Sequence, residues 1–578
     1  MANFAILKRI LSYSKPYRKL LVSGILSAFV GVGISLLIPI WVGEAIDHII
    51  GPNAVDFLLI RHLLVRIAIA IAISAFFQWL MNYCMNLVTF RTAQDLRIEA
   101  FEKIGKVPLK YIDNRAHGNL INTIINDIEQ ISDGLIQGFI QLFTGIMTIS
   151  GTLLLMLSIN VRIALIVVLL TPLSIFMASF IAKRISSKFK LQSEIRGELS
   201  GYIKEMLGQQ KIVRAFSYEE RATERFDEIN DRLKSVGKLA QFYSALTNPC
   251  TRFVNGVIYA IVGIIGALSV IRGHFSVGML SSFLTYANQY TKPFNEISGV
   301  ITELQAAFAS ANRVFGMIDA DSESSDTQLK SDVICKGDVK FEHISFSYQQ
   351  NVPLIEDFNL EVEPGQTVAI VGPTGSGKST LINLLMRFYE VNKGHIYISG
   401  EDITEMKRQT LREMFGMVLQ ETWLFNGTIR DNIAYGKPDA TQEEIEKAAK
   451  ASYAHGFITR LPEGYDTVIS EDGSNISQGE KQLLAIARVM LTHPPMLILD
   501  EATSNIDTLT EKRVQKAFST LMEGKTSFIV AHRLSTIQSA DIILVLNKGQ
   551  IVEKGNHEEL LEKGGFYANL YQSQFAAS

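Results

Sequence analysis

Six stretches within the first 300 residues, near 20–43, 63–88, 135–159, 161–182, 251–272 and 275–299, are apolar over lengths that a globular core does not need. About 20 largely apolar residues cross the hydrocarbon of a bilayer, where backbone polar groups must be satisfied within the segment itself. That constraint leaves a helix as the fold of each stretch and predicts six membrane spans. Pro172 lies in the fourth, which a membrane helix tolerates. The sixth carries Asn288, Gln289, Lys292 and Glu296, as expected of a helix that faces a solvated cavity. A soluble all-helical domain is the competing reading, and it has no use for so many apolar runs.

Basic residues orient the spans. Lys8, Arg9, Lys15, Arg18 and Lys19 precede the first run, and further Lys/Arg clusters fall in 91–115 and 183–196. The positive-inside rule assigns these segments to the cytoplasm. The alternate connections, at 44–57, around Asn160 and around Gly273, are short. Both termini are thus expected in the cytoplasm, with two long helical excursions projecting inward. The N-terminus lacks a short apolar core ending in small residues, so no cleavable signal is expected.

Beyond Asp319 the chain reads as a soluble α/β domain, and the overall apolar fraction of 47% averages two unlike halves. A net charge of −3 argues against a nucleic-acid partner. Cys84, Cys250 and Cys335 match no metal-ligand spacing and read as reduced thiols. The boundaries expected are a transmembrane domain at 1–318, a linker at 319–336 and a nucleotide-binding domain at 337–578.

Gly372-Pro-Thr-Gly-Ser-Gly-Lys378-Ser379 follows the β-branched run Thr367-Val-Ala-Ile-Val and precedes a helix-like apolar segment. This is G-x-x-x-x-G-K-S in its strand–loop–helix setting. Gly372, Thr374, Gly375, Ser376 and Gly377 let backbone N–H groups surround phosphate oxygens, and the helix beginning near Thr380 adds its dipole. Lys378 is expected to reach the β- and γ-phosphates and Ser379 to hold Mg²⁺. A bare glycine turn is the bland alternative, and both flanks argue against it. Pro495-Met-Leu-Ile-Leu-Asp500-Glu501 is an apolar strand ending in two carboxylates. Asp500 is expected on Mg²⁺, and Glu501 as the group that polarises the attacking water. Thr526-Ser-Phe-Ile-Val-Ala-His532 ends another apolar strand, with His532 placed to sense a γ-phosphate.

At Asn475-Ile-Ser-Gln-Gly-Glu-Lys-Gln-Leu the chain resembles the L-S-G-G-Q signature of ATP-binding-cassette (ABC) proteins, and the resemblance covers essentially the whole chain. Six spans followed by one cassette are similar to a half-transporter of the exporter type. The implied fold is multi-domain: a six-helix transmembrane domain with long cytoplasmic helical extensions, then an α/β P-loop ATPase. The resemblance also assigns roles. Tyr348 stacks on adenine, Gln420 links Mg²⁺ to the membrane domain, and Ser504 and Asp507 lie in the dimer-interface loop. Asp113, Gly118, Leu120 and Asp127 look like the first intracellular loop, and Gly208 with Val213–Phe216 like the second. Two cassettes close head to tail, so Ser477, Gln478, Gly479 and Glu480 act on the partner's ATP. The implied cofactors are ATP and Mg²⁺, and the implied site is a bacterial cytoplasmic membrane.

The signature departs from the pattern, with Gln478 for the first glycine and Glu480 for the final glutamine. A side chain near the phosphate and an added negative charge are expected to weaken the ATP site this signature serves. Lys378, Asp500, Glu501 and His532 are intact. That asymmetry resembles the competent half of a heterodimeric multidrug exporter whose partner has an impaired catalytic acid; a homodimer with a variant signature is the alternative. Phe76 and Phe77 in the second span, and Phe283, Tyr286, Asn288, Gln289 and Tyr290 in the sixth, are candidate substrate contacts for bulky amphipathic compounds. They equally suit helix packing and lipid anchoring. Export of drugs or lipids is the expectation. A homodimeric lipid or peptide exporter, or a membrane ATPase that moves no solute, stays open.

Overall fold

The computed structural model describes residues 2–49, 55–324, 326, 329–349, 352–420, 422–470, 475–500, 507–531 and 534–574. The chain forms two compact units: Met1–Lys106 with Arg115–Ala320, and Val107–Asn114 with Asp321–Ser578.

The first unit is helical. It comprises α1 (Ala2–Tyr13), α2 (Arg18–Asp47), α3 (Phe57–Ile104), α5 (His117–Asn122), α6 (Ile128–Ile159), α7 (Val161–Gly208), α8 (Gln210–Ala215), α9 (Glu219–Ile271) and α10 (Val277–Ile318); α4 (Leu109–Asp113) belongs to the second unit. With 48, 48 and 53 residues, α3, α7 and α9 extend to roughly 70–80 Å at 1.5 Å per residue, far beyond one hydrocarbon thickness. Among the described residues, four helical segments are long and apolar enough to cross a membrane: Lys15–Asp47, Phe57–Ile104, Ile140–Ile159 and Glu219–Ile271. Among the described residues the apolar stretch of α7 is Val161–Leu173, and the described part of α10 does not reach span-like apolarity.

Packing explains why α10 is more polar. It runs beside α6, α2 and α9, and its polar groups bond to neighbouring helices. Ser282 Oγ donates to Pro39 O at 2.7 Å, Ser276 Oγ to Asp47 Oδ2 at 2.6 Å, and Gly278 N to Asp47 Oδ1 at 2.7 Å. The backbones nearly touch, since a Cβ on Gly278 would lie 1.9 Å from Gly43 O. Small residues at such crossings let helices approach closely. At the start of α6, Asp127 is buried and accepts from Arg313 Nε at 2.8 Å, Arg313 Nη2 at 2.6 Å and Ser310 Oγ at 3.0 Å. Arg9 of α1 pairs with Asp319 at 2.7 Å and lies over the Phe315 ring.

The second unit contains two main sheets. β1 (Val339–Phe346), β2 (Ile355–Val362), β4 (Lys393–Ile398) and β5 (Glu401–Asp402) form an antiparallel sheet in the order β2-β1-β4-β5. β3 (Thr367–Val371), β6 (Phe415–Val418), β9 (Met496–Asp500), β10 (Thr526–Val530), β11 (Ile542–Asn547) and β12 (Gln550–Gly555) form the order β12-β11-β3-β10-β9-β6; all its pairs are parallel except β11–β12. β3, β9 and β10 are buried almost throughout, which suits the near-continuous Val/Ile/Leu runs of a sheet covered on both faces. β7 (Gly427–Thr428) and β8 (Val468–Ile469) make a small antiparallel pair. The helices are α11 (Lys378–Leu385), α12 (Arg408–Glu413), α13 (Ile429–Ala434), α14 (Gln442–Ala451), α15 (His455–Ile458), α16 (Gln478–Thr492) and α17 (Thr508–Met522), with three short ones beyond.

Ser324 and Asp326 are tied down at Arg408, which is buried and bonds to Asp326 Oδ1 at 2.6 Å, Ser324 O at 3.0 Å and Glu390 Oε1 at 2.9 Å. The helix α4, between the long α3 and α5 in sequence, packs Leu109 against the core of the ATPase-like unit. Cys84, Cys250 and Cys335 are free thiols.

Candidate nucleotide site

Strand register assembles the site. Val371 at the end of β3 pairs with Val545, Ile370 with Val530, Val530 with Asp500, and Val418 with Leu499. The carboxyl ends of β3, β10, β9 and β6 therefore lie along one edge, where ligands bind in open parallel sheets. Gly372, Asp500 and the exposed Gln420 all leave the sheet at that edge.

Gly372 has φ +154°, and a Cβ there would lie 2.2 Å from Leu546 O, so no other residue fits. Gly377 adopts φ +101° as the N-cap of α11, opening the helix directly into Lys378. Among the described residues the buried Ser376 Oγ has no hydrogen-bond partner. A buried hydroxyl without a partner is costly, and a phosphate oxygen would satisfy it. Lys378 Nζ folds back onto Gly372 O at 2.8 Å and Pro373 O at 3.1 Å. Burial pulls its pKa below the usual 10.5, and the nearby Asp500 carboxylate opposes that fall. The donor set thus fits a triphosphate: an ammonium held over the loop, two hydroxyl residues at 376 and 379, and a carboxylate within electrostatic reach.

Tyr348 is partly exposed beside this loop. Its hydroxyl donates to Thr380 Oγ1 at 3.3 Å and accepts from Asn383 Nδ2 at 3.2 Å. Its ring meets Tyr389 edge-on, with centroids 4.9 Å apart. The Tyr389 hydroxyl in turn donates to Asp113 of α4, and burial with that carboxylate drives its pKa far above the ordinary tyrosine range. Sequence reasoning did not find the Tyr389–Asp113 link, because nothing in either segment points to the other.

The signature residues sit at the start of α16. Ser477 and Gln478 are exposed, and Gly479 is buried. Glu480 turns back on Ser477: its carboxylate accepts from Ser477 N at 2.9 Å and Ser477 Oγ at 2.8 Å, completing a capping box. The S-x-x-E spacing was the signal for it. Asp507 caps α17, accepting from Leu509 N at 3.1 Å and Thr510 N at 3.0 Å. Glu501, Ser504 and His532 lie outside the described residues.

The candidate substrate contacts separate. Phe283, Tyr286 and Tyr290 are packed in the core of the helical unit with Leu36, Met156 and Val262. The cause is the central position of α10, where Tyr286 donates to Leu36 O. Gln289 Oε1 is buried without a partner among the described residues. Phe76 is exposed on α3 and meets Phe77 edge-on at 5.6 Å. Asn288 lines a cavity of about 540 Å³ between α9 and α10.

A P-loop ATPase unit and a helical membrane unit in one chain define a membrane-bound ATPase. Residues 21–294 match the family of the ABC transporter transmembrane region, and residues 355–504 match the ABC transporter family. The chain belongs to the ABC transporters. An ABC transporter ATP-binding protein of Bacillus subtilis (strain 168), YfiC, described as uncharacterized, is 41% identical over 98% of this chain and 94% of its own length. The fatty acid ABC transporter ATP-binding/permease protein of Mycobacterium bovis is 39% identical over 90% of this chain and 83% of its own. A solved bacterial Atm1-family ABC exporter with ATP bound matches with a TM-score of 0.79 at 28% identity, covering 96% of this chain and 98% of that one. The chain is a multi-pass cytoplasmic membrane protein of the exporter half-transporter type that couples ATP hydrolysis to transport.

Proposed function

We propose that this chain pairs with a second half-transporter and exports amphipathic small molecules, drugs or lipids, across the cytoplasmic membrane, with both termini on the cytoplasmic side. The observation that carries the reading is the common edge of β3, β9 and β6, from which Gly372, Asp500 and Gln420 all emerge. Lys378 and Ser376 bind the phosphates, and Tyr348 receives the adenine. Ser379, Asp500 and Gln420 supply oxygens for Mg²⁺, which when bound neutralises phosphate charge. Glu501 orients the attacking water and His532 contacts the γ-phosphate. The relative that transports fatty acid, by its name, supports an amphiphile as cargo.

Ser477 and Gly479 address the ATP held by the partner's P-loop. Glu480 is a negative group at that contact, so the site served by this signature binds ATP less tightly than the site built on this chain's own P-loop. A non-identical partner with a standard signature and an impaired catalytic acid fits that inequality. ATP must favour the closed dimer over the open one, because equal affinity would shift nothing.

Mg²⁺-ATPase activity in lipid, for the chain alone and with the product of the neighbouring gene, tests the pairing. Activity only with the partner supports the heterodimer; full transport-coupled turnover of the single chain replaces it with a homodimer. In either assembly Glu501→Gln is expected to retain ATP binding while hydrolysis falls by orders of magnitude. Unchanged turnover would remove Glu501 from its role.

A further inference from the structure

The cavity between α9 and α10 is polar in an uneven way. Arg252 and Asn255 of α9 face it with Asn288, Thr291 and Lys292 of α10, and among the described residues no carboxylate lines it. Among the described residues neither Arg252 nor Lys292 has an ion-pair partner. The two helices are joined by a short connection after Ile271. Arg252 lies 19 residues before that end of α9 and Lys292 lies 15 residues into α10, distances of about 28 Å and 22 Å. Both cations therefore sit at similar depth, near the ends of the spans remote from the α9–α10 connection, and within one hydrocarbon thickness of it. Cations there are costly unless they meet an anion or reach the interface.

The geometry points to an anion-selective substrate site: Arg252 and Lys292 hold the carboxylate or phosphate headgroup of an acyl-chain amphiphile, and Asn255, Asn288 and Thr291 complete its hydrogen bonds. This deepens, and rests on, the reading of the chain as an exporter of amphiphiles. A volume of about 540 Å³ accommodates a headgroup and the first methylenes of a chain. Ile258 and Tyr259 supply apolar wall beside the polar end. The same two charges disfavour cationic amphiphiles, so the site discriminates by headgroup charge and accepts varied tails.

Equilibrium binding of a dansylated undecanoic acid, its methyl ester and a trimethylammonium analogue to the purified full-length transporter tests the site. The acid is expected to bind at least tenfold tighter than the ester. Arg252→Gln with Lys292→Gln is expected to bring the acid to the affinity that the same variant shows for the ester, and retained ester binding also reports that the helices remain folded. Arg252→Lys with Lys292→Arg is expected to restore the preference. Equal binding of acid and ester by the wild type, or undiminished acid binding by the glutamine variant, would overturn the site and leave the two cations as interfacial anchors. Displacement by laurate or by lysophosphatidate, whichever is stronger, identifies carboxylate or phosphate as the preferred head. ATP-driven uptake of the acid into inside-out vesicles separates the two readings. Charge-selective binding without uptake sinks export and keeps the site; uptake undiminished in the glutamine variant sinks the site and keeps export.

Discussion

Glu480→Gln isolates what the unusual signature does. The Glu480 carboxylate lies 2.9 Å from Ser477 N, on the amide that a partner-bound phosphate would approach. That N–H is already donated to Glu480, so a phosphate oxygen approaching Ser477 from its open side would lie about 6 Å from the carboxylate. At an effective dielectric of about 40, two unit charges at that separation repel by about 1.4 kcal/mol, a factor of about ten in affinity. Glutamine retains an acceptor for the capping box, so the helix loses only the favourable charge–dipole interaction, about 0.3–1 kcal/mol. The variant is expected to lower the ATP concentration for half-maximal hydrolysis about tenfold at the site served by this signature. Its melting temperature should fall by no more than about 4 °C, as suits a domain of this size. Steady-state ATPase titrations of the assembled dimer, with thermal unfolding in parallel, measure both. Glu480→Ala loses the cap as well and should cost more stability for the same electrostatic gain. An unchanged or raised ATP requirement in Glu480→Gln would refute the repulsion and leave Glu480 as a helix cap alone.

Lys378→Ala is expected to reduce labelled-ATP binding at this chain's own P-loop by at least a hundredfold, since it removes the only ammonium seen over the loop among the described residues; retained binding would overturn the assignment. Arg408→Ala strips a buried cation from Asp326 and Glu390 and should cost about 1–2 kcal/mol, discounted because Glu390 is half exposed and still meets Arg387, seen as earlier unfolding of the ATPase unit by calorimetry. Asp127→Asn should cost about 1–2 kcal/mol, discounted because Arg313 is half exposed. Burial raises the Asp127 pKa, but the bonds from Arg313 and Ser310 outweigh it and hold the value below the ordinary 3.8. The carboxylate's contribution is thus complete above about pH 4 and lost as pH falls through the depressed value. The wild type and Asp127→Asn should converge in stability at the acid end, and a constant difference down to pH 2 would contradict the pairing.

The glycine pattern at 372–377 was legible because only a glycine tolerates the φ of Gly372 and the approach of Leu546 O, so the motif and its geometry are one constraint. The parallel strands were legible for a similar reason, since burial on both faces leaves unbroken apolar runs at 367–371, 496–500 and 526–530. The aromatic residues of α10 were not. A Phe or Tyr on an apolar helix has the same signature whether it faces cargo or a neighbouring helix, and Phe283 and Tyr286 face neighbours.

Local chemistry, then, was enough to determine a membrane-spanning half, a triphosphate loop and a divergent signature, because each depends on residues close together in the chain. Tertiary structure alone decided the pairings across long separations. Tyr389 meets Asp113 over 276 positions, Arg313 closes on Asp127 over 186, and Arg252 and Lys292 come to share one cavity. No local pattern encodes those meetings, because helix packing and sheet register, rather than sequence spacing, bring the groups together.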